Sequence, residues 1–279
     1  MHIEKLGLLA AIALVSAQPA DSQPLPAPVA MTYADLADLA LSARVVAHVR
    51  VERSDVLSDR ETSGVPAGHR RFLIEASVVA LIRGEDGLPA RVRYLVDLPN
   101  DERGRRQRIR RGTEYLLLAS SAPGAPDELR LAAPDAQLPF DAGTAAQLRE
   151  ILRESLAPDA PPRIVGIGRA FHVPGSLPGE SETQFFLLAT DNRPISLSVL
   201  RRPGEAPRWS VALGELVDNS AATPQPGTLL WYRLACTLPR ALPAESLSEA
   251  EAAEARAIRA DYQLVLERLG RCERSRRPI

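Results

Sequence analysis

The sequence predicts an α+β chain, mainly β: two tandem small antiparallel barrels, each followed by a packed helix. Three observations predict it. Apolar and polar residues alternate at a period of two in segments separated by Gly-, Pro-, Asp- and Arg-containing loops, as half-buried strands require. An amphipathic helical stretch follows each set of strands. Two landmarks then recur at similar spacing: Arg44-Val45-Val46-Ala47-His48 is echoed by Arg163-Ile164-Val165-Gly166-Ile167, and Gly112-Thr113 before an apolar run by Gly227-Thr228 before another. The alternative is one larger mixed β fold, since two landmarks are few for a repeat.

Residues 1–17 read as a signal peptide. An apolar run over residues 6–17 (LGLLAAIALVSA) follows Lys5 and ends in the small-x-small pattern Val15-Ser16-Ala17. At roughly a dozen residues the run is shorter than the ~20 needed to cross a bilayer. Residues 18–31, rich in Pro and Ala, form an extended tether. No cysteine follows the apolar run, which excludes a lipid anchor there, and no later segment is long and apolar enough to span a membrane. The predicted location is periplasmic or secreted.

Residues 32–157 form the first barrel and its helix. Residues 32–43 (TYADLADLALSA) start as a helix, with Thr32 and Asp35 at its N-terminus and Leu36, Leu39 and Ala40 on one face. The period then changes to two. Val45, Ala47, Val49 and Val51 alternate with Val46, His48, Arg50 and Glu52, and the pattern recurs over residues 72–80 and 92–98. Residues 114–119 (EYLLLA) close the set, and a helix over residues 144–156 starts at Thr144 and Gln147 and stops at Pro158. Residues 158–270 repeat the plan, with strands at 184–190, 195–200 and 209–216 and a last strand over 229–235 (LLWYRLA). The final helix has Ser248 and Glu251 as a capping box, a stripe of Ile258, Tyr262, Val265, Leu266 and Leu269, and Gly270 as its stop. Residues 271–279 are a basic tail.

Cys236 and Cys272 are the only cysteines, and two thiols in an exported chain pair by default. Their separation fits no zinc ribbon and there is no C-x-x-C for disulfide exchange. The expected staple pins the last helix across the second barrel, stabilises by about 3–4 kcal/mol, and on removal frees that helix while residues 33–156 stay folded.

No catalytic, cofactor-binding or metal-ligating residue is assigned. Gly166-Ile167-Gly168 lacks the third glycine and the following helix of a dinucleotide loop. In Gly175-Ser176-Leu177-Pro178-Gly179 the serine follows the first glycine directly, so this is a turn and not a nucleophile elbow. His48, His69 and His172 are isolated, with no spacing suited to zinc. The net charge of −1 gives no global pull toward nucleic acid. One segment has chemical character: Arg103, Arg105, Arg106, Arg108, Arg110 and Arg111 crowd DERGRRQRIRRG between two strands. Arginine forks favour phosphate, sulfate or carboxylate, so this is a candidate anion-binding hairpin. A solvated charged loop is the plainer alternative.

The order D-L-A-D-L, A-R-V-V-A-H-V-R-V, F-L-I-E-A-S-V-V-A-L-I-R-G and R-R-G-T-E-Y-L-L-L over residues 33–120 resembles secreted OB-like domains of the netrin-module and tissue-inhibitor-of-metalloproteinase type. Ala47 stands where those carry a glycine, residues 81–84 match their L-K-G ending, and residues 112–118 match their G-x-x-Y-L-L-F. The resemblance implies a small barrel that binds something. The inhibitors' N-terminal zinc-chelating cysteine has no counterpart here. The expected function is that of an exported, non-enzymatic binding protein of the cell envelope, with an unidentified protein, acidic glycan or envelope component as partner. A hydrolase of envelope polymers, with His172, a carboxylate and Ser176 converging, and a structural or assembly subunit are the alternatives.

Overall fold

A computed structural model describes residues 31–58, 63–101, 103–214 and 223–276; the expected signal peptide and nearly all of the expected tether lie outside them. Residues from Met31 onward form one compact unit that is α+β and mainly β. Helix α1 (Tyr33–Ser42) begins at the expected capping box, in which Thr32 Oγ1 accepts from the Asp35 amide and the Asp35 carboxylate accepts from the Thr32 amide. Five strands come next: β1 (Val45–Val56), β2 (His69–Arg83), β3 (Arg91–Pro99), β4 (Glu114–Ala122) and β5 (Ala125–Leu131). They pair in the order 1-2-3-5-4, and β4 returns to β1, so the sheet closes. All pairings in the ring are antiparallel except β3 with β5. A closed five-strand barrel in this order is consistent with an OB-like fold.

The alternation read from the sequence is the barrel's inside and outside. Val45, Ala47, Val49 and Val51 of β1 point inward with Phe72, Ile74, Ala76, Val92, Tyr94, Val96 and Leu117. Val46 faces outward and is buried too, with Leu116 and Leu118 of β4, beneath α1 and the helix α2 (Ala142–Leu156). That helix packs through Ala145, Leu148, Ile151 and Leu152, and its N-cap is Asp141, whose carboxylate accepts from the Thr144 amide at 2.7 Å. The short strand β6 (Gln137–Pro139) pairs with β4 just before it. Neither β5 nor β6 was expected from periodicity. Pro126, Asp127 and Glu128 mask the alternation of β5, although Gly124, at φ +76°, makes its hairpin turn.

The second half is not a barrel. Strands β7 (Ile164–Pro174), β8 (Ser181–Ala189), β9 (Ile195–Arg201) and β10 (Arg208–Ala212) form an open antiparallel sheet in the order 10-9-8-7. The expected closing strand over residues 229–235 is helix α3 (Leu229–Ala235), because Thr228 caps it by accepting from the Trp231 amide. A continuous apolar run of seven residues is compatible with a buried strand or a buried helix turn, and the cap decides between them. Without that strand no described element closes the sheet. Its inner face packs instead on α3 and α4 (Ala252–Leu269), with Phe185, Leu197, Ile258, Tyr262 and Val265 at the centre. The Tyr262 hydroxyl donates to the Pro239 carbonyl at 2.5 Å. The α4 N-cap is Glu251 with Glu254, not Ser248, which ends a 3-10 turn (Ala244–Leu247). Gly270, at φ +72°, stops the helix as expected.

Cys236 and Cys272 are disulfide-bonded, with Cα atoms 5.0 Å apart. Cys236 is the C-cap of α3, not the end of a strand. Within the basic tail, Arg274, Ser275 and Arg276 lie on Asp38, Asp35 and Asp135 of the first half, and residues 277–279 lie outside the described residues.

Leu117→Ala opens a hole in the barrel interior, where Leu117 is fully buried. It is expected to lower unfolding stability by about 2–5 kcal/mol, read as a drop in denaturant midpoint at unchanged m-value.

Candidate binding face of the barrel

The β2–β3 register fixes which side chains share the barrel's outer wall. Phe72 with Val96, Ile74 with Tyr94 and Ala76 with Val92 fill the interior, so Arg71 with Asp97, Leu73 with Leu95, Glu75 with Arg93 and Ser77 with Arg91 face out. Arg71 forks onto Asp97 through Nε and Nη2 at 2.7 and 2.8 Å. That contact holds the Asp97 carboxyl below the usual carboxylate range and raises the Arg71 guanidinium. Arg93 reaches across to β5, with Nη2 on Glu128 at 2.7 Å and Nε 3.5 Å from Asp127. Between these ionic pairs Leu95 is 46% exposed.

Four shallow cavities run along this wall. One, of about 400 Å³, lies among Glu52, Glu75, Arg91, Arg93, Arg111 and Asp127. A second, also about 400 Å³, shares Arg93 and adds Leu73, Leu95 and Arg130. A third, about 420 Å³, shares Leu95 and lies between Arg71, Asp97, Leu131 and Pro134, beyond the two register positions at which β3 pairs with β5. A fourth, about 290 Å³, shares Arg71 and ends at His69 and Asn100. Arg93, Leu95 and Arg71 each line two of the cavities, so the four lie in a row along the outer face of β3, the β3 groove. Donor-only arginines and acceptor-only carboxylates alternate along its walls around an apolar middle.

The arginine loop leaves β3 beside the fourth cavity, at Asn100, and reaches the first cavity through Arg111 before β4. Two of its arginines are spoken for. Arg105 Nε donates to Asp101 Oδ2 at 2.9 Å, and the amides of Arg103 and Arg105 donate to Asp101 Oδ1 at 3.0 and 2.7 Å. Those amide bonds, the Arg105 amide first, depress the Asp101 carboxyl pKa. Arg111 Nη2 donates to Glu52 Oε2 at 3.0 Å and lines the first cavity. Ile109 packs against the barrel interior and its carbonyl accepts from Ser54 Oγ at 3.1 Å, anchoring the loop from below. Arg103, Arg106, Arg108 and Arg110 are exposed. The structure thus groups the six predicted residues on one loop, uses two of them to shape it, and leaves four guanidinium groups facing solvent.

His48 lies on the side of β1 that alternates with the interior residues, yet it is covered. It is buried, stacked on Phe140 with centroids 3.8 Å apart, and its Nε2 lies 2.8 Å from Glu114 Oε2. Arg50 forks onto the other oxygen of Glu114 at 2.9 and 2.7 Å. Arg50 first, then His48, holds the Glu114 carboxyl below its ordinary range. This cluster pins the entry of β4 to β1.

His172, a hydroxyl and a carboxylate do meet in the second half, but the hydroxyl is that of Thr183, not Ser176. Thr183 Oγ1 donates to Asp261 Oδ2 at 2.5 Å and lies 2.8 Å from His172 Nδ1, while Arg201 Nε donates to Asp261 Oδ1 at 2.7 Å. With its one proton on Asp261, the Thr183 oxygen accepts from His172 Nδ1–H. Thr183 is fully buried, so its hydroxyl presents no face to a substrate. The network joins α4 to the sheet. Among the described residues no group of three His, Cys, Asp or Glu side chains is placed to hold a metal ion, and no helix is long and apolar enough to cross a membrane.

Neither protein-family models nor curated proteins match this chain. The class that the geometry defines is therefore structural: a closed five-strand barrel, backed on one side by helices and joined to an open four-strand sheet.

Asp101→Ala removes the acceptor that shapes the loop. Amide exchange at Arg103 and Arg105 is expected to accelerate while unfolding stability stays within about 0.5 kcal/mol of the wild type, as hydrogen exchange and calorimetry would record.

Proposed function

We propose that this chain is an exported, non-enzymatic binding protein of the cell envelope, taking an anionic partner on the β3 groove and the arginine loop. The observation that carries the reading is that Arg111 belongs both to the loop and to the groove, so the loop that bears the exposed guanidinium groups also lines a cleft of fixed donors and acceptors. A ligand bearing carboxylate or sulfate groups beside hydroxyls meets both kinds of wall, as an acidic glycan or an acidic protein segment would. The 1-2-3-5-4 closure supports an OB-like domain, on which this wall is a common ligand surface. The signal-like N-terminus and the disulfide support a periplasmic or secreted location. Replacing Arg106, Arg108 and Arg110 together by Ala should weaken binding to an immobilised polyuronate or sulfated glycan by about tenfold or more and flatten its salt dependence. Equal affinity and equal salt dependence in the triple variant would end this reading.

A second reading, an assembly subunit, draws on the outer face of the open sheet. Val165, Phe171, Val173, Phe186 and Leu188 are exposed there, with Phe171 edge-on to Phe186 at 5.8 Å. Clustered exposed apolar residues of this kind mark association surfaces. Phe186→Ser with Leu188→Ser should abolish concentration-dependent self-association in sedimentation equilibrium; a wild-type chain that stays monomeric throughout removes the reading.

A further inference from the structure

Residues 271–276 leave α4 and cross to the first half of the molecule. Arg274 donates from Nε to Asp38 Oδ2 at 2.7 Å and from Nη2 to Oδ1 at 3.2 Å, and the Tyr232 hydroxyl of α3 donates to the same Oδ1 at 2.5 Å. Ser275 gives its amide and its hydroxyl to Asp35 Oδ2 at 2.9 and 2.6 Å, and the Arg276 amide reaches Oδ1 at 3.3 Å. Arg276 then forks onto Asp135 at 2.8 and 2.6 Å. Three carboxylates of the barrel half are thus filled by three consecutive residues of the C-terminal segment. One further contact ties this cradle to the cystine: Arg274 Nη1 lies 3.1 Å from Cys272 Sγ. A single guanidinium therefore touches both the bridge and the carboxylate that holds the segment.

We propose that Cys236–Cys272 is a redox-gated clasp: the oxidised bridge keeps Arg274, Ser275 and Arg276 seated on Asp38, Asp35 and Asp135, and a dithiol reductant releases them. The thiolate of the reductant attacks Cys236 Sγ, the electron pair of the S–S bond passes to Cys272 Sγ, and Cys272 leaves as a thiolate beside Arg274. The second thiol of the reductant then displaces Cys236 and closes the reductant's own disulfide. The protein gains two electrons and two protons, and the reductant loses the same. A cation beside the leaving sulfur favours this direction of attack. The new thiolate competes with Asp38 for Arg274, and residues beyond Gly270 lose their second attachment, which lowers their effective concentration at the cradle.

Protons do not work this clasp near neutrality. Burial pushes the Asp35 carboxyl up, but hydrogen bonds from Ser275 and Thr32 bring it below its ordinary value, and Arg276 does the same for Asp135. Depressed folded-state values mean that their contribution is complete above the unfolded value of about 3.9 and is lost only as pH falls through the folded value. Around them the cradle holds Asp38, Tyr232, Arg274 and Arg276, and burial first, then the bond to Asp38, pushes the Tyr232 hydroxyl up to about 12.

The test uses the whole chain in a native dithiothreitol redox buffer, with amide exchange and thiol alkylation read together. Reduction is expected to raise exchange at the Ser275 and Arg276 amides about tenfold, a typical coupling, while β1 to β5 keep their protection. Because coupling is reciprocal, Asp38→Asn should shift the cystine–dithiol equilibrium toward the dithiol by a similar factor. Asp135→Asn, which breaks only the more exposed Arg276 pair, should shift it in the same direction and serves if Asp38→Asn misfolds. Unchanged exchange at Ser275 and Arg276 on reduction overturns the proposal, as does a cystine equilibrium identical in wild type and variants.

Discussion

Strand β1 is the constraint on which the rest of the molecule rests. It pairs with β2 along one edge and β4 along the other, so the barrel closes through it. Its inward side chains fill the barrel, and Val46 and His48 on its outward side are covered by α1, α2 and Phe140. Over residues 45–49 the strand is buried on two faces and paired on two edges, and there it is apolar but for His48. Polar residues are tolerated only where a partner is built for them, which is why Glu114 serves both His48 and Arg50. The outer wall at β2 and β3 is free of such cover, and there the groove can exist.

The two halves answer one problem differently. The first closes its sheet and needs helices only over the β1–β4 wall. The second leaves its sheet open and must cover one face with α3 and α4. Their junction is largely polar: Glu154 accepts from the Leu229 amide at 2.7 Å, Tyr232 reaches Asp38, and the C-terminal segment completes the contact. Tyr33 of α1 meets Trp231 of α3 edge-on at 6.2 Å and adds the apolar part.

Much of the first half was legible because its strands alternate, and alternation is a local property. The α1 cap, the α4 stripe and the stop at Gly270 were legible for the same reason. The repeat was not. Gly112 and Gly227 share a left-handed φ, at +83° and +80°, and each precedes a threonine, so the two landmarks share a glycine conformation. One turn launches β4 and the other launches α3; the choice between strand and helix is made by the cap at Thr228 and by packing across the sheet. The candidate site was legible in part. Six arginines announce a charged loop, but Asp101 and Glu52 as the partners of two of them are facts of turn geometry and register. The β3 groove needed the pairing of Leu73 with Leu95 and of Arg71 with Asp97, which no local pattern encodes.

The two-sided burial of β4 has one more consequence. Leu116, Leu117 and Leu118 are consecutive and all fully buried. Sliding such a segment by one residue against its neighbour exchanges one leucine for another and exposes nothing apolar, so hydropathy alone is blind to the frame. The frame is kept by the residues that bracket the leucines: the left-handed turn at Gly112 and the triple contact at Glu114 on one side, the Pro123-Gly124 reversal on the other. Polar punctuation at the ends of the strand, and not the oil in its middle, sets the reading frame of the barrel.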